Sequence, residues 1–140
     1  MNNPWIWSNS HKFPTDTAEA KRVLDELLAR LADNQWGDHD MFGVHMAVEE
    51  ALMNAIKHGN QLDNSKMVEV VSRLATDRMV IEITDEGPGF EPDDVPDPTE
   101  DENLELPSGR GLMLMRSFMN TVEFNDLGNS VRMEKLRTAS

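Results

Sequence analysis

The sequence predicts a fold of the mixed α/β class, formed by residues 1–140 as one domain. The length of 140 residues fits one domain with a sizeable core. Apolar residues recur at three- and four-residue steps over residues 16–34, which is the period of a helix. Apolar and polar residues alternate over residues 67–75, which is the period of a strand. Both periods occur in a chain without internal repeats, so we expect one domain of helices and strands.

The first part of the chain predicts a strand followed by a helix. Residues 5–13 mix aromatic and polar side chains, and Pro14 would end a strand there. Thr15 or Asp16 can cap a helix over residues 16–34, because their side-chain oxygens can accept from free backbone N–H groups. The buried side of this helix is predicted to carry Val23, Leu24, Leu27, Leu28 and Leu31.

A second helix is predicted to run to about His58. Either Asp38 or Asp40 can cap its start, and Gly59 would end it. Its predicted buried stripe consists of Val44, Val48, Leu52, Ala55 and Ile56.

The later residues predict a hairpin, a third helix and two further strands. Residues 67–75 and 79–84 form the predicted antiparallel hairpin, joined by a short turn. The helix is predicted over residues 112–119, and the strands over residues 121–125 and 130–136.

A proline-rich acidic segment, residues 91–108, separates the hairpin from the third helix. It has many Asp and Glu residues and few apolar ones. A loop this long inside a compact domain is usually functional or disordered.

Composition excludes several classes of protein. The net charge of −13 argues against direct binding to nucleic acid or to an anionic membrane, since both favour basic surfaces. No apolar run approaches the roughly 20 residues that span a bilayer, and no signal peptide is evident. The absence of Cys excludes disulfides and thiolate metal sites. We therefore expect a cytoplasmic protein.

Glu50, Asn54 and His58 are spaced by four residues, so they are predicted to lie along one side of the second helix. Such a polar row often simply faces water. Alternatively, Asn54 offers a neutral oxygen to hydrated magnesium, which keeps several waters and bridges to phosphate. Glu50 could then orient a water or accept a proton from a substrate hydroxyl.

Asp85 follows a predicted strand and precedes Gly87-Pro88-Gly89. Its carboxylate can accept a hydrogen bond from an exocyclic amine such as that of adenine. Gly87 and Gly89 permit close contacts that a side chain would block. The alternative is a tight acidic turn without a ligand.

The Gly109-Arg110-Gly111 segment opens the third helix. Free N–H groups and the helix dipole there favour phosphate, and Arg110 adds a possible charge contact. The alternative is a flexible hinge.

The order of these segments resembles the ATP-binding fold shared by gyrase, histidine kinases and MutL. Residues 50–59 resemble the N box of that superfamily, and residues 85–89 its first glycine box. Residues 109–111 resemble the second glycine box, while Gly128-Asn129-Ser130-Val131 resembles the final Gly-Thr-x-Val element. The resemblance covers roughly residues 15–137.

Within that superfamily the chain most resembles the anti-sigma factor serine/threonine kinases, the relatives of RsbW and SpoIIAB. The matching segments are Glu50-Ala-x-x-Asn54-Ala-Ile-Lys-His-Gly and Gly109-Arg-Gly-Leu-x-Leu-Met-Arg116. The resemblance implies a Bergerat-type two-layer α/β sandwich, with a mixed, mainly antiparallel sheet and helices on one face. It also implies ATP and Mg²⁺ as cofactors.

The resemblance assigns roles to individual residues. Asn54 would hold the metal, Glu50 would be the catalytic carboxylate and Asp85 would contact adenine. Residues 91–108 would form the ATP lid. The other expected cofactor-binding residues are His58, Gly87, Gly89, Gly109, Arg110, Gly111 and Ser130.

The resemblance further implies partners. Such kinases phosphorylate a Ser or Thr of a STAS-domain anti-anti-sigma protein, sequester a sigma factor, and are often homodimers. Pro107 stands where some members carry a basic lid residue. Asn129 stands where Thr is common, and we expect it to loosen a contact near adenine. These departures leave two alternatives open: a non-catalytic nucleotide-dependent switch, and a detached histidine-kinase ATPase domain.

Overall fold

A computed structural model of the chain describes residues 4–88 and 109–138, with the side chain of Arg110 left out of the description. The strands are β1 (Trp7–Pro14), β2 (Met67–Leu74), β3 (Arg78–Thr84), β4 (Thr121–Phe124) and β5 (Ser130–Leu136). The α-helices are α1 (Thr17–Asp33), α2 (Asp38–Met53) and α3 (Gly109–Phe118). In the described ranges, no helix combines the length and apolar character needed to cross a membrane.

The strands form one sheet in the order β1-β2-β3-β5-β4. Ile83 of β3 lies between Val70 of β2 and Val131 of β5, and all three side chains are buried under the helices. On the opposite face Arg132 lies between Glu82 and Glu123. The alternation therefore gives each strand one core side and one polar side. The two-layer α/β sandwich is confirmed, with helices packed on one face.

The sheet departs from the expected mixed pattern in one respect. All four strand pairings between described residues are antiparallel. The β4–β5 hairpin accounts for this at one edge, because it returns β5 antiparallel to both β4 and β3.

The two long helices begin differently from one another. Asp16 caps α1, with its side chain accepting from the Ala18 N–H at 2.8 Å. The expected cap of α2 by Asp38 or Asp40 is wrong, because Gly37 occupies that position without a side-chain bond. Asp40 is buried instead, and its carboxylate accepts from the N–H and hydroxyl of Thr138. That carboxylate thus fastens the end of the chain to α2.

The second helix changes its winding near its end. After Met53 it continues as a π-helical turn, Asn54–Gly59, rather than as α-helix to His58. The Asn60 N–H bonds to the Ala55 carbonyl oxygen at 2.8 Å. A π turn is wider than an α turn, so four-residue spacing within it does not follow the α-helical period. The change of winding begins after Glu50, which lies on the α-helical part of the segment.

Candidate functional site

An open cleft with an empty volume of about 470 Å³ lies between the second helix, α3 and the ends of β3 and β5. Its polar lining includes Asn54 and His58 of the π turn, Asp85 after β3, and Asn129 and Ser130 of the β4–β5 hairpin. Its apolar lining consists of Ala51, Ala55, Ile83, Met115, Phe124 and Val131. Four of the predicted site residues (Asn54, His58, Asp85 and Ser130) thus meet in one cleft.

The carboxylate of Asp85 has one occupied and one open oxygen. Oδ1 accepts from the Gly87 N–H at 2.7 Å, whereas Oδ2 has no donor among the described residues. Burial raises the pKa of Asp85 to about 6, against the lowering effects of the Gly87 N–H and the Lys66 charge. The cleft therefore presents a partly desolvated acceptor that an incoming N–H donor can satisfy.

Gly59 and Gly87 allow the chain to approach this carboxylate closely. A Cβ atom on Gly59 would lie 2.3 Å from the Asp85 Cγ. A Cβ atom on Gly87 would lie 2.0 Å from the Gly59 carbonyl oxygen. Gly59 thus ends the helical segment, as expected, and also leaves space for Asp85.

Asn60 is a site residue that sequence reasoning did not identify. Its side chain is fully buried, and Nδ2 donates to Thr15 Oγ1 and to the Met67 carbonyl oxygen, both at 3.0 Å. Its Oδ1 accepts from the Glu86 N–H at 2.8 Å. This amide therefore ties the π turn to the sheet and to the loop that carries Asp85. The only feature of the sequence that pointed to Asn60 was its position directly after Gly59.

Asn129 and Ser130 hold the other side of the Asp85 loop. Asn129 Nδ2 donates to the Asp85 carbonyl oxygen at 3.0 Å, and the Asp85 N–H donates to the Asn129 carbonyl oxygen at 2.9 Å. The Ser130 and Thr84 hydroxyl oxygens lie 2.8 Å apart. Asn129 thus makes two hydrogen bonds to the backbone of Asp85, one through its side chain and one through its carbonyl oxygen.

Glu50 is not among the described residues that line the cleft. Its carboxylate lies against the first turn of α3, where a Cβ atom on Gly111 would be 2.3 Å from Glu50 Oε1. The structure therefore places Glu50 beside α3, and Asn54 and His58 inside the cleft.

The second glycine-rich segment lies within α3 itself. The helix begins at Gly109, three residues before its predicted start, so Gly109, Arg110 and Gly111 form its first turn. Gly89 and residues 91–108, including Pro107, lie outside the described residues.

A metal ion here would depend on few protein ligands. Within residues 4–88 and 109–138, no group of three or more His, Asp or Glu side chains is arranged to hold a metal. Magnesium bound through phosphate oxygens and water does not need such a group. The side-chain oxygen of Asn54, which has no hydrogen-bond partner among the described residues, fits that kind of coordination.

Comparison with known sequences gives a family match over most of the chain. The model of the family described as "Histidine kinase-like ATPase domain" matches residues 13–135. An anti-sigma F factor of Clostridium perfringens is 33% identical over 101 residues, which are 69% of this chain and 72% of that protein. An anti-sigma F factor of Clostridium botulinum is 32% identical over 99 residues, covering 66% and 68% of the two chains.

Comparison with solved structures supports the same architecture. A crystal structure of the RsbU and RsbW domains of a Mycobacterium tuberculosis protein superposes with a TM-score of 0.64 over 96% of this chain. The identity is 16%, so this likeness concerns the fold alone. The present chain covers 34% of that longer protein chain.

Proposed function

Because this chain belongs to the histidine kinase-like ATPase domain family, we propose that it is an ATP-binding anti-sigma factor and protein serine/threonine kinase. Its substrate would be a STAS-domain anti-anti-sigma protein. The observation that carries the proposal is the convergence of Asn54, Asp85 and Ser130 in one cleft, although they come from separate segments of the chain. The anti-sigma F factors to which the chain is similar supply the biological context.

Asp85 would recognise the base. Its open Oδ2 would accept a hydrogen bond from the exocyclic amine of adenine, while the apolar lining of the cleft packs against the ring. Guanine carries a carbonyl oxygen at the equivalent position and would face the carboxylate with an acceptor. The cleft therefore favours adenine over guanine.

The opposite end of the site would hold phosphate and magnesium. Gly109 and Gly111 lie in the first turn of α3, where the helix dipole favours anions. Asn54 would offer its side-chain oxygen to Mg²⁺. His58, Gly87, Gly89, Arg110 and Ser130 would complete the binding surface.

Glu50 would act in phosphotransfer. Bound ATP supplies the phosphoryl group. Glu50 would orient the Ser or Thr hydroxyl of the partner and accept its proton as the new oxygen–phosphorus bond forms. Its place beside Gly111 puts the carboxylate next to the first turn of α3, which is the proposed phosphate end.

We also propose that the chain sequesters a sigma factor and exchanges it for the STAS-domain protein. The name of the Clostridium relatives, anti-sigma F factor, motivates the first half of this proposal. A homodimer is the expected assembly, and analytical ultracentrifugation of the purified chain would test it.

Transfer of labelled phosphate tests the kinase proposal directly. The purified chain, magnesium and γ-labelled ATP should label a STAS-domain protein from the same organism on Ser or Thr. Glu50→Gln should reduce the labelling rate roughly a hundredfold or more while ATP affinity stays unchanged, because only proton transfer is lost.

Glu49→Gln is the matched control for that experiment. Glu49 is adjacent but points about 100° around the helix, where it pairs with His45 at 3.0 Å. Its substitution should leave labelling intact. Absence of label on any STAS-domain protein, in a chain that binds magnesium-ATP, would reject the kinase assignment.

One observation favours a second candidate, a nucleotide-dependent switch without phosphotransfer. Glu50 does not line the cleft, and its carboxylate packs against Gly111. In that case Glu50 would respond to the position of α3 through its contact with Gly111, and it would not act as a base. A Glu50→Gln chain that still exchanged its partners in full would support the switch.

A further inference from the structure

The β4–β5 hairpin reaches Asp85 through two asparagine side chains. Asn125 directly follows β4, and Asn129 directly precedes β5. Asn125 Nδ2 donates to Asn129 Oδ1 at 2.7 Å, and Asn129 Nδ2 donates to the Asp85 carbonyl oxygen at 3.0 Å. The hairpin is therefore connected to the base end of the cleft by a chain of two amides.

The direction of this chain is determined by the backbone. Asn125 Oδ1 accepts from the N–H groups of Gly128, Asn129 and Ser130, at 2.7, 3.0 and 3.2 Å. Only an oxygen can accept from three donors, so Nδ2 of Asn125 must face Asn129. Asn129 must then present its oxygen to Asn125 and its NH₂ group to Asp85. Neither amide can be reversed without losing hydrogen bonds.

Asn129 also binds both backbone polar groups of Asp85. The Asp85 N–H donates to the Asn129 carbonyl oxygen at 2.9 Å, and its carbonyl accepts from the Asn129 side chain. Gly59 packs against the carboxylate, and the Gly87 N–H bonds to it. Among the described residues, the only oxygen of Asp85 without a hydrogen-bond donor is Oδ2.

We propose that Asn125 and Asn129 form a positioning relay that sets the Asp85 carboxylate for base recognition, so that Asn129 determines the preference for adenine over guanine. This inference rests on the proposed nucleotide site. An asparagine carries its acceptor and its donor on two atoms. A threonine at position 129 would offer one hydroxyl on a shorter side chain, in place of the separate acceptor and donor atoms of asparagine.

Two substitutions interrupt the relay while preserving the shape of the hairpin. Asn129→Asp keeps the acceptor for Asn125 but removes the donor to the Asp85 carbonyl. Asn125→Asp keeps the oxygen that accepts from the three hairpin N–H groups but removes the donor to Asn129. Both changes are nearly isosteric, so circular dichroism and the unfolding midpoint should remain close to those of the wild type.

Calorimetric titration of the full chain with magnesium-ATP and magnesium-GTP tests the relay. In both variants ATP affinity should fall roughly tenfold and GTP affinity should change little, so the ATP:GTP ratio should fall by the same factor. Asn64→Ala is the matched control, because Asn64 is exposed and has no side-chain bond among the described residues. It should keep the wild-type ratio.

The ATP:GTP ratio is a readout that a purely structural residue would not change. An unchanged ratio in both variants would overturn the relay alone. A wild-type chain that bound neither nucleotide would overturn the proposed function and the relay with it.

Discussion

The two ends of the cleft are built in opposite ways. At the proposed base end, Asp85 is held by Gly59, Gly87 and Asn129, and the neighbouring Glu86 by the buried Asn60. At the proposed phosphate end, the Asn54 side chain has no hydrogen-bond partner among the described residues. The base end is therefore organised in the ligand-free chain, and we expect the phosphate end to gain its contacts from ATP and magnesium. Damage to the first should disturb the fold, and damage to the second only binding.

Gly59→Ala should produce the largest effect, because it breaks the base end. The new Cβ atom would lie 2.3 Å from the Asp85 carboxylate, which cannot move freely. Overpacking of this kind costs about 1–3 kcal/mol, so we expect a comparable loss of stability and roughly a hundredfold loss of ATP affinity. Urea unfolding and calorimetry measure both quantities.

Gly37→Ala is the matched glycine control. A Cβ atom there meets nothing within 4 Å, and the backbone angles are extended. It should leave stability and binding close to those of the wild type. Equal ATP affinity in the two alanine variants would show that Asp85 need not pack against Gly59.

Asn54→Ala should have an intermediate effect, confined to the phosphate end. We expect magnesium-dependent ATP affinity to fall roughly tenfold, because one metal ligand is lost. The unfolding free energy should change by less than about 0.5 kcal/mol, since no described residue bonds to the side chain. Calorimetry with magnesium and with EDTA separates the two contributions, and unchanged magnesium dependence would contradict the assignment.

Asp85→Asn should not destabilise the fold, because it removes the cost of burying a charged carboxylate at the base end. Burial raises the pKa of Asp85 to about 6, above its usual value of 3.8, so the folded chain keeps this proton longer than the unfolded chain. The unfolding free energy of the wild type should therefore decrease as the pH rises from about 3.8 to about 6. The substituted amide would not titrate, and above pH 6 the variant should gain about 1 kcal/mol relative to wild type, since partial exposure screens the cost.

Urea unfolding across that pH range checks the sign of this effect. The two proteins differ only at position 85, so the difference between their pH profiles belongs to Asp85 and not to other residues of the cleft, such as His58. The same variant should lose its preference for ATP over GTP. Parallel pH profiles for the two proteins would show that burial of Asp85 has no energetic cost.

The sequence predicted the helices and strands better than the contacts that hold the cleft together. Periodicity located every described helix and strand to within a few residues, and spacing brought Asn54 and Asp85 forward as candidates. Periodicity and spacing are local properties of the sequence, so they predict features that depend on neighbouring residues. The approach of Gly59 to Asp85 joins residues far apart in sequence, as do the bonds of Asn60 to Thr15 and Glu86. No periodicity encodes such contacts.

One local expectation was wrong because a tertiary contact outweighed local preference. Asp40 does not cap α2, since its carboxylate binds Thr138 near the end of the chain. The second helical segment does end at Gly59, as expected, but its last turn is π-helical, which regular spacing alone could not reveal. Glu50, on the α-helical part, lies beside Gly111 and is not among the described residues that line the cleft.

The π-helical turn, Asn54–Gly59, bears on how this chain can diversify. Its Ala55 and Ile56 are buried in the core, whereas its Asn54 and His58 line the cleft and its last residue, Gly59, packs against Asp85. One short turn therefore serves both the core and the candidate site. Substitutions in this turn that change ligand preference should also change stability, so the two properties are constrained to evolve together.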